Sequence, residues 1–563
     1  MTTNKIMLEC PACGYKTPYL QPLPACPNCK SEWLEASYPY KQVREVMLKK
    51  LGQRPFKMWR YRELMPLRVD SNIVTMDEGG TPLIYASNLA QMMGRPHIYI
   101  KDERQGPTGS FKDRQASLAV SVMKETGVSE VVVASTGNVA ISYSAYCARV
   151  GIRVWAFLNS MVPPAKMREV ALYGAEVIKV TGTYDQAKQM AAAFAERKGL
   201  HLDRGIRSFA QRESMKALAF EIAEQLGAIF GPEMPGMQPP FRAPDWYIQS
   251  ISGGLGPVGV WKGFEELKQM GLIDKMPRIA NIQVEGCAPI VNSFRAGLEE
   301  AEPVLVPQTR VITLATGNPG AAYPALRRIT LASNGAMEAV SDEEAFRAMH
   351  VMAKMDGVSM ESAAGVAFAG LFKLISQQMI QPDDIVIVNC SGHTVPVEVE
   401  LLGEAWAHSV AAPESVTPMP IVEQEGLIAA LERLDERVKS IAIVDDNPNA
   451  VRLLKRILQA RGKYIIHEAY GGREGLSIIR SERPDLVLLD LMMPELDGFG
   501  VMEAMKAEKA LQNIPVIVIS ALSPQELTPV KRKQLADQVK VMLQKGAYTD
   551  LDLLEDIIKE VLE

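Results

Sequence analysis

Three groups of residues in this 563-residue chain have the types and spacing that chemistry needs. The densest is Gly106-Pro-Thr-Gly-Ser-Phe-Lys-Asp-Arg114, where glycines and a proline restrict a loop that presents one lysine at the start of a helical run. A lysine is ordinarily a solvated surface charge. Behind Phe111 in a tight turn, Lys112 can instead be partly desolvated, and a desolvated amine is a nucleophile able to form a Schiff base with a carbonyl compound. The second group is Cys10-Pro-Ala-Cys13 with Cys26-Pro-Asn-Cys29, two knuckles whose twelve-residue separation lets four thiolates converge on one tetrahedral Zn²⁺. A disulfide pair, disfavoured in a reducing cytosol, and four free thiols are the competing readings. With every ligand position filled by sulfur, the zinc reads as structural, standing in for a core and lying remote from the chemistry. Cys147, Cys287 and Cys390 are scattered singles that read as buried small hydrophobes. The third group is acidic. Asp445 and Asp446 end the strand pattern from Ile441, and Asp490 ends the pattern from Leu486. Carboxylates at the carboxyl edge of neighbouring parallel strands form a hard-oxygen site for Mg²⁺, which can neutralise a phosphoryl group arriving on one of them. A solvated acidic rim would explain the acids, but not Ser520 and Lys545 after the next two strand patterns.

Strands and helices must hold these groups in place. From about Tyr38 to His408, short β-branched runs alternate with longer helical patterns, the signature of a mostly parallel sheet covered by helices. Glu130–Ala134 leads into a helix at Ala140 to Val150, Arg153–Phe157 into one at Ala165 to Tyr173, and Asp384–Val388 into a Ser-Gly turn. Prolines make the stretch from Ser409 to Pro420 a linker, a helical pattern follows at Gly426 to Val438, and a second βα alternation runs from Ile441 to the end. The expected domains are therefore 1–37, 38–408, a linker and helix at 409–440, and 441–563. Hydrophobic residues at 47% and charged residues at 23% are ordinary for globular proteins of several cores. The formal charge of −5 and the lack of a dense basic block exclude a nucleic-acid surface. The N-terminus lacks a secretory pattern, and the most apolar stretch, Ala363 to Phe372, is too short to span a bilayer. A cytoplasmic protein with no membrane partner is expected.

The first loop supports something narrower. Gly109-Ser-Phe-Lys-Asp-Arg114, with Asp77-Glu-Gly-Gly-Thr-Pro-Leu83 upstream, resembles the lysine motif of threonine synthases, within the fold type II (tryptophan synthase β-like) pyridoxal-phosphate enzymes, and the match runs from the cysteine segment to about Leu402. The resemblance implies a two-domain α/β catalytic region with parallel sheets behind an N-terminal zinc ribbon, in a homodimer, with Lys112 carrying pyridoxal 5′-phosphate. It implies that Ser135, Thr136 and Gly137, between a strand and a helix, hold a substrate carboxylate, and that Asn138 hydrogen-bonds the cofactor's phenolic oxygen. It implies that Ser252, Gly253, Gly254, Leu255 and Gly256 hold the cofactor phosphate on successive backbone amides, with a helix dipole behind them. Ser391, in Asn389-Cys-Ser-Gly-His393, takes the position of the pyridine-nitrogen partner. A neutral partner there makes a milder electron sink, which in this family goes with elimination and replacement at Cβ or Cγ. Trp59–Arg62, Gln283–Gly286, Gly317–Pro319 and Glu361–Ala364 match as packing and domain-closure features. Two departures touch the substrate. The usual Asn-Ser-x-Asn-Pro-x-Arg segment reads Ile206-Arg-Ser-Phe-Ala-Gln-Arg212, leaving Arg207 or Arg212 to bind an anion, and the closing motif reads Gly392-His-Thr-Val-Pro396. His393 there is a structural hydrogen-bonder before it is a proton shuttle.

Residues 441–563 resemble a response-regulator receiver domain of the doubly wound, flavodoxin-like type. The resemblance makes Asp490 the phosphoacceptor, with Asp445, Asp446 and Asp490 around Mg²⁺, Ser520 sensing the phosphoryl oxygen and Lys545 pairing with its charge. Its partner would be a histidine kinase or phosphotransfer protein. Gly546 in place of proline and Met542 at the aromatic switch position depart from the pattern. The expected function is conversion of O-phosphohomoserine to threonine and phosphate, regulated by phosphorylation. Cysteate synthase-like replacement on phosphoserine and threonine or serine dehydration are the alternatives, and an amino-acid sensor without turnover is the reading of another class.

Overall fold

Strands of a parallel sheet covered by helices on both faces must be buried on both faces, and the central β runs of this chain meet that requirement. The computed structural model describes residues 6–233, 240–393, 439–461, 464–520 and 539–544, and the chain divides into two compact units, Met1–Trp406 and Ala407–Glu563. The expected linker, the helix at Gly426 to Val438 and Lys545 lie outside the described residues, as does the Met542 side chain.

In the first unit, β1 (Met7–Glu9), β2 (Lys16–Pro18) and β3 (Glu35–Ser37) form an antiparallel sheet in the order β2-β1-β3. β4 (Leu83–Tyr85) is the antiparallel edge of a six-stranded sheet that begins with β5 (Ile98–Asp102). The chain then builds a four-stranded parallel sheet from β6 (Glu130–Ser135), β7 (Arg153–Asn159), β8 (Glu176–Val180) and β9 (His201–Leu202), in the order β8-β7-β6-β9. It returns through β10 (Trp246–Ser250), β11 (Arg278–Val284), β12 (Ala336–Val340) and β13 (Val386–Cys390) to complete the order β12-β11-β10-β13-β5-β4. β5, β10 and β13 are buried along their whole length. β13 starts two residues later than expected, so Cys390 lies inside the strand and Ser391 directly follows it. The apolar stretch from Ala363 belongs to the buried helix Ser362–Ser376. No helix among the described residues is long and apolar enough to cross a membrane.

In the second unit, β14 (Ser440–Val444), β15 (Ile465–Ala469), β16 (Leu486–Leu489), β17 (Val516–Ser520) and β18 (Val539–Gln544) form a parallel sheet in the order β15-β14-β16-β17-β18. The strand order reverses at β14, and Val444 pairs with Leu489, so Asp445 and Asp490 leave adjacent strands at the same level. That is the switch point where doubly wound sheets bind their ligands.

The loop bearing Lys112 is anchored by a buried charge cluster. Arg114 Nε and Nη2 donate to the Glu103 carboxylate at 2.7 and 2.8 Å, while Arg114 Nη1 and Nη2 donate to Glu221 at 2.6 and 2.8 Å. Lys101 Nζ donates to the second oxygen of Glu221 at 2.9 Å and to Thr81 O at 2.8 Å. Burial alone would raise the Glu221 carboxyl, but Arg114 and Lys101 pull it down to about 2. Its stabilising contribution is therefore complete above its ordinary value of 4.5 and is lost as pH falls towards 2. Glu221→Ala leaves the buried Lys101 without its carboxylate and Arg114 with Glu103 alone, and should cost about 3–5 kcal/mol. A shift in the denaturant midpoint corresponding to less than about 1 kcal/mol would show that the cluster does not hold the loop.

Candidate active site

The lysine loop is closed by its own side chains. Thr108 N donates to Asp113 Oδ2 at 2.9 Å, and the Thr108 hydroxyl donates to Asp113 Oδ1 at 2.5 Å. Gly109 turns the chain at φ +74°, a conformation a side chain would strain. Two backbone hydrogen bonds then fasten the loop to the end of β13: Phe111 N donates to Ser391 O at 3.0 Å and His393 N to Gly109 O at 2.9 Å. Lys112 thereby begins the helix Lys112–Glu125 with its amine facing the same cavity as Ser391.

That cavity, of about 630 Å³, gathers residues from both parallel sheets. Lys112, Ser135, Thr136, Asn138, the run Ser252 to Gly256 and Ser391 all line it; Gly137 lies behind it, its amide donating to Ser135 Oγ at 2.9 Å. Burial lowers the Lys112 amine from 10.5 to about 8, with Glu361 and Asp203 opposing the shift. Asp203, also in the cavity wall, is raised by its burial. The glycine run forms a cradle at the start of the buried helix Leu255–Gln269. A Cβ on Gly253 would meet nothing within 4 Å, whereas one on Gly254, at φ +71°, would lie 2.5 Å from Leu326. Open space over backbone amides at a helix N-terminus suits a phosphate. The Ser252 hydroxyl bonds to Thr316.

Two charged residues missed in the sequence complete the site. Glu361, expected as a packing feature, is a cavity residue: Ser391 Oγ donates to its Oε1 at 3.0 Å and Asn138 Nδ2 to its Oε2 at 2.8 Å. Lys166 Nζ donates to Asn138 Oδ1 at 2.8 Å and lies 3.9 Å from Glu361. Burial lowers the Lys166 amine. The Glu361–Ala364 match had marked the place of the first. Nothing in Pro163-Pro-Ala-Lys166 distinguished the second.

Other expectations divide. Arg207 lines the cavity, but Arg212 does not: its guanidinium donates to Leu34 O and Ile206 O and stacks 4.2 Å from the centre of the Trp33 ring. Asn318 and Pro319 line the cavity, and Asp185 accepts from Gly317 N and Asn318 N at 3.0 and 3.1 Å, joining the two sheets' lobes. The His393 side chain is exposed.

The four cysteine sulfurs lie within 4.8 Å of one another, the pairs Cys10–Cys29 and Cys13–Cys26 being 3.5 and 3.7 Å apart. The knuckles repeat one hydrogen-bond pattern, Cys10 N to Tyr15 O at 2.9 Å and Cys26 N to Ser31 O at 2.8 Å. Such a set can bind a metal. None of the four cysteines lines the cavity, but Glu32, three residues after Cys29, does. In the second unit the carboxylates of Asp445, Asp446 and Asp490 also lie within 4.8 Å of one another, with Asp445 and Asp490 buried and Asp446 exposed. Ser520 is buried at the end of β17.

Residues 74–391 match the model of the pyridoxal-phosphate dependent enzymes. The chain belongs to that family. Residues 441–547 match the response regulator receiver domain. The chain is 36% identical over 362 residues to a threonine synthase of Methanocaldococcus jannaschii, covering 64% of this chain and 86% of that protein. It is 33% identical over 372 residues to a threonine synthase of Mycobacterium tuberculosis, covering 65% and 95%. In fold it is similar to diaminopropionate ammonia lyase of Escherichia coli, with a TM-score of 0.50 at 15% identity over 65% of this chain and 93% of that one. This pyridoxal-phosphate enzyme is thus of the lyase and synthase kind, acts on an amino acid, and carries a receiver that takes a phosphoryl group from a kinase or phosphotransfer partner.

The lowered Lys112 amine gives a direct readout. In cofactor-free protein, acylation of Lys112 followed by peptide mass mapping should rise with pH through a midpoint near 8, because the neutral amine is the reactive form. A midpoint near 10.5, that of an ordinary lysine, would show that the site does not desolvate the amine.

Proposed function

We propose that the first unit is a threonine synthase-type lyase, converting O-phosphohomoserine and water to threonine and phosphate, and that Lys112 binds pyridoxal phosphate covalently and moves the substrate's protons. The observation that supports this most is that one cavity is lined by a desolvated lysine, by Ser391 and by an open glycine cradle. Bound there, pyridoxal phosphate supplies an electron-withdrawing ring that stabilises negative charge developing next to the substrate's nitrogen. The backbone amides from Ser252 to Gly256 hold its phosphate against the helix dipole. Asn138 would hold the phenolic oxygen and Ser391 the pyridine nitrogen, and both side chains are oriented by Glu361. The backbone amides around Ser135, Thr136 and Gly137, where the helix Asn138–Ala148 starts, bind the substrate carboxylate. With substrate bound, Lys112 Nζ would be the group that takes the proton from Cα and returns it, since burial in the cavity lowers its amine and so favours the neutral, proton-accepting form. Asp185, bridging to the Gly317–Asn318 loop, helps to keep water out while the phosphate leaves.

Cys10, Cys13, Cys26 and Cys29 hold one structural Zn²⁺ in this proposal. In the receiver, Asp445, Asp446 and Asp490 hold Mg²⁺, Asp490 accepts the phosphoryl group, and Ser520 and Lys545 respond to its charge. The altered Ile206–Arg212 segment makes the substrate the first thing to test. Purified enzyme offered O-phosphohomoserine, O-phosphoserine, threonine and serine separately should release phosphate and form threonine from the first, and Lys112→Ala should lose about a thousandfold or more of that rate. Turnover of threonine or serine alone would make it a dehydratase. Cofactor spectra that shift without turnover of any of the four would make it a sensor. Beryllofluoride should change kcat/KM in wild type and leave Asp490→Ala unchanged. Equal kinetics in both would reduce the receiver to a passive fusion.

A further inference from the structure

The cavity wall carries two arginines, Arg207, an anion candidate in the sequence, and Arg204, to which the sequence assigned nothing. Arg204 and Arg207 sit on the segment that follows β9, and both line the cavity. A single carboxylate bridges them: Glu32 Oε1 accepts from Arg204 Nη1 at 2.9 Å, and Glu32 Oε2 lies 3.3 Å from Arg207 Nη1. Arg207 reaches the loop that holds Asn318 and Gly320. Its Nη2 stands 3.8 Å from where a Cβ on Gly320 would be, beside the Asn318 side chain on the opposite wall. The third arginine of the segment, Arg212, has its charge spent on Leu34 O, Ile206 O and the Trp33 ring, so it fixes the segment rather than facing the cavity. Trp33 is held in turn by Glu35, to which its Nε1 donates at 2.9 Å. Glu32 is therefore presented from a braced strip of the cysteine segment.

Two guanidiniums bridged by a carboxylate are an anion site with an anion already in it. A carboxylate offers each guanidinium one oxygen, whereas a phosphoryl group offers three and carries more charge. The ion pairs are also weak enough to give way, since Glu32, Arg204 and Arg207 keep 39, 45 and 51% of their side chains exposed. We propose that Arg204 and Arg207 form the clamp for a phosphoryl group on the substrate side chain, and that Glu32 occupies this clamp as a placeholder until the substrate displaces it. The proposal rests on the reading of the cavity as the amino-acid site. It gives the metal-binding segment a part in specificity: Glu32 keeps the two cations apart and satisfied when no substrate is bound, and raises the threshold for weakly charged side chains.

The test is calorimetric, on holoenzyme, with inorganic phosphate as the probe and L-threonine as a ligand without an anionic side chain. Removing the competing charge in Glu32→Gln should tighten phosphate about fivefold, the worth of one unit charge close by in water. The double variant Arg204→Ala/Arg207→Ala should weaken phosphate about tenfold or more. L-Threonine should bind all three proteins alike. Unchanged or weaker phosphate binding by Glu32→Gln overturns the placeholder, and so does a wild type that does not bind phosphate. An arginine variant that loses phosphate and L-threonine equally overturns the clamp. Because binding is read rather than turnover, a failure to convert O-phosphohomoserine would count against the proposed reaction and leave this result standing.

Discussion

The guanidinium of Arg114, buried between the carboxylates of Glu103 and Glu221, is the constraint on which the catalytic unit depends. It stands two residues after Lys112, so whatever fixes Arg114 fixes the first turn of that helix and the direction of the lysine. Buried ion pairs of this kind are not efficient stabilisers, since desolvation consumes most of the attraction. What they do impose is geometry, because a guanidinium held by two forked carboxylates has one orientation. Glu103 follows β5 of the six-stranded sheet, and Glu221 lies on the helix Lys216–Phe230. Arg114 thus joins the lysine loop to elements on two sides at once. The Thr108–Asp113 bonds inside the loop and the two backbone bonds to residues 391 and 393 add what remains.

With the lysine fixed, the rest of the cavity follows from where parallel strands end. Ser135 ends β6, the glycine run follows β10 and Ser391 follows β13, so three strand ends from two sheets deliver donors to one space. Helix N-termini at Asn138 and Leu255 make two of these ends anion-seeking without any charged side chain. Glu361, Asn138 and Lys166 then form a chain of partners behind them, in which each polar group orients the next.

How much of this was legible in the sequence depended on whether a function was local. Lys112, the glycine run and the three aspartates each carry their meaning within a few residues, as a turn, a cradle or a strand end. Glu361 and Asn138, in contrast, are 223 residues apart, and Glu32 and Arg204 are 172 apart. No periodicity encodes such pairs; only the packing of the two sheets and the cysteine segment brings them together. Arg207 and Arg212 show the same limit within seven residues of sequence. Both were candidates for an anion, and the Trp33 ring and two backbone carbonyls, invisible in the segment itself, decided that only Arg207 faces the cavity. β13 starts two residues after Asp384 because that carboxylate accepts from Gln381 N at 2.8 Å in the turn before the strand, a bond that a run of β-branched residues does not reveal.

In the proposed enzyme, of the two lysines near Glu361, Lys112 and Lys166, the first is the cofactor's attachment point, selected by the loop that Arg114 anchors. Borohydride reduction of the holoenzyme, followed by protease digestion and mass mapping, reads this directly. A phosphopyridoxyl group found on the peptide containing Lys112 is the predicted result. Its presence on the peptide containing Lys166, or on any other lysine, would contradict the claim.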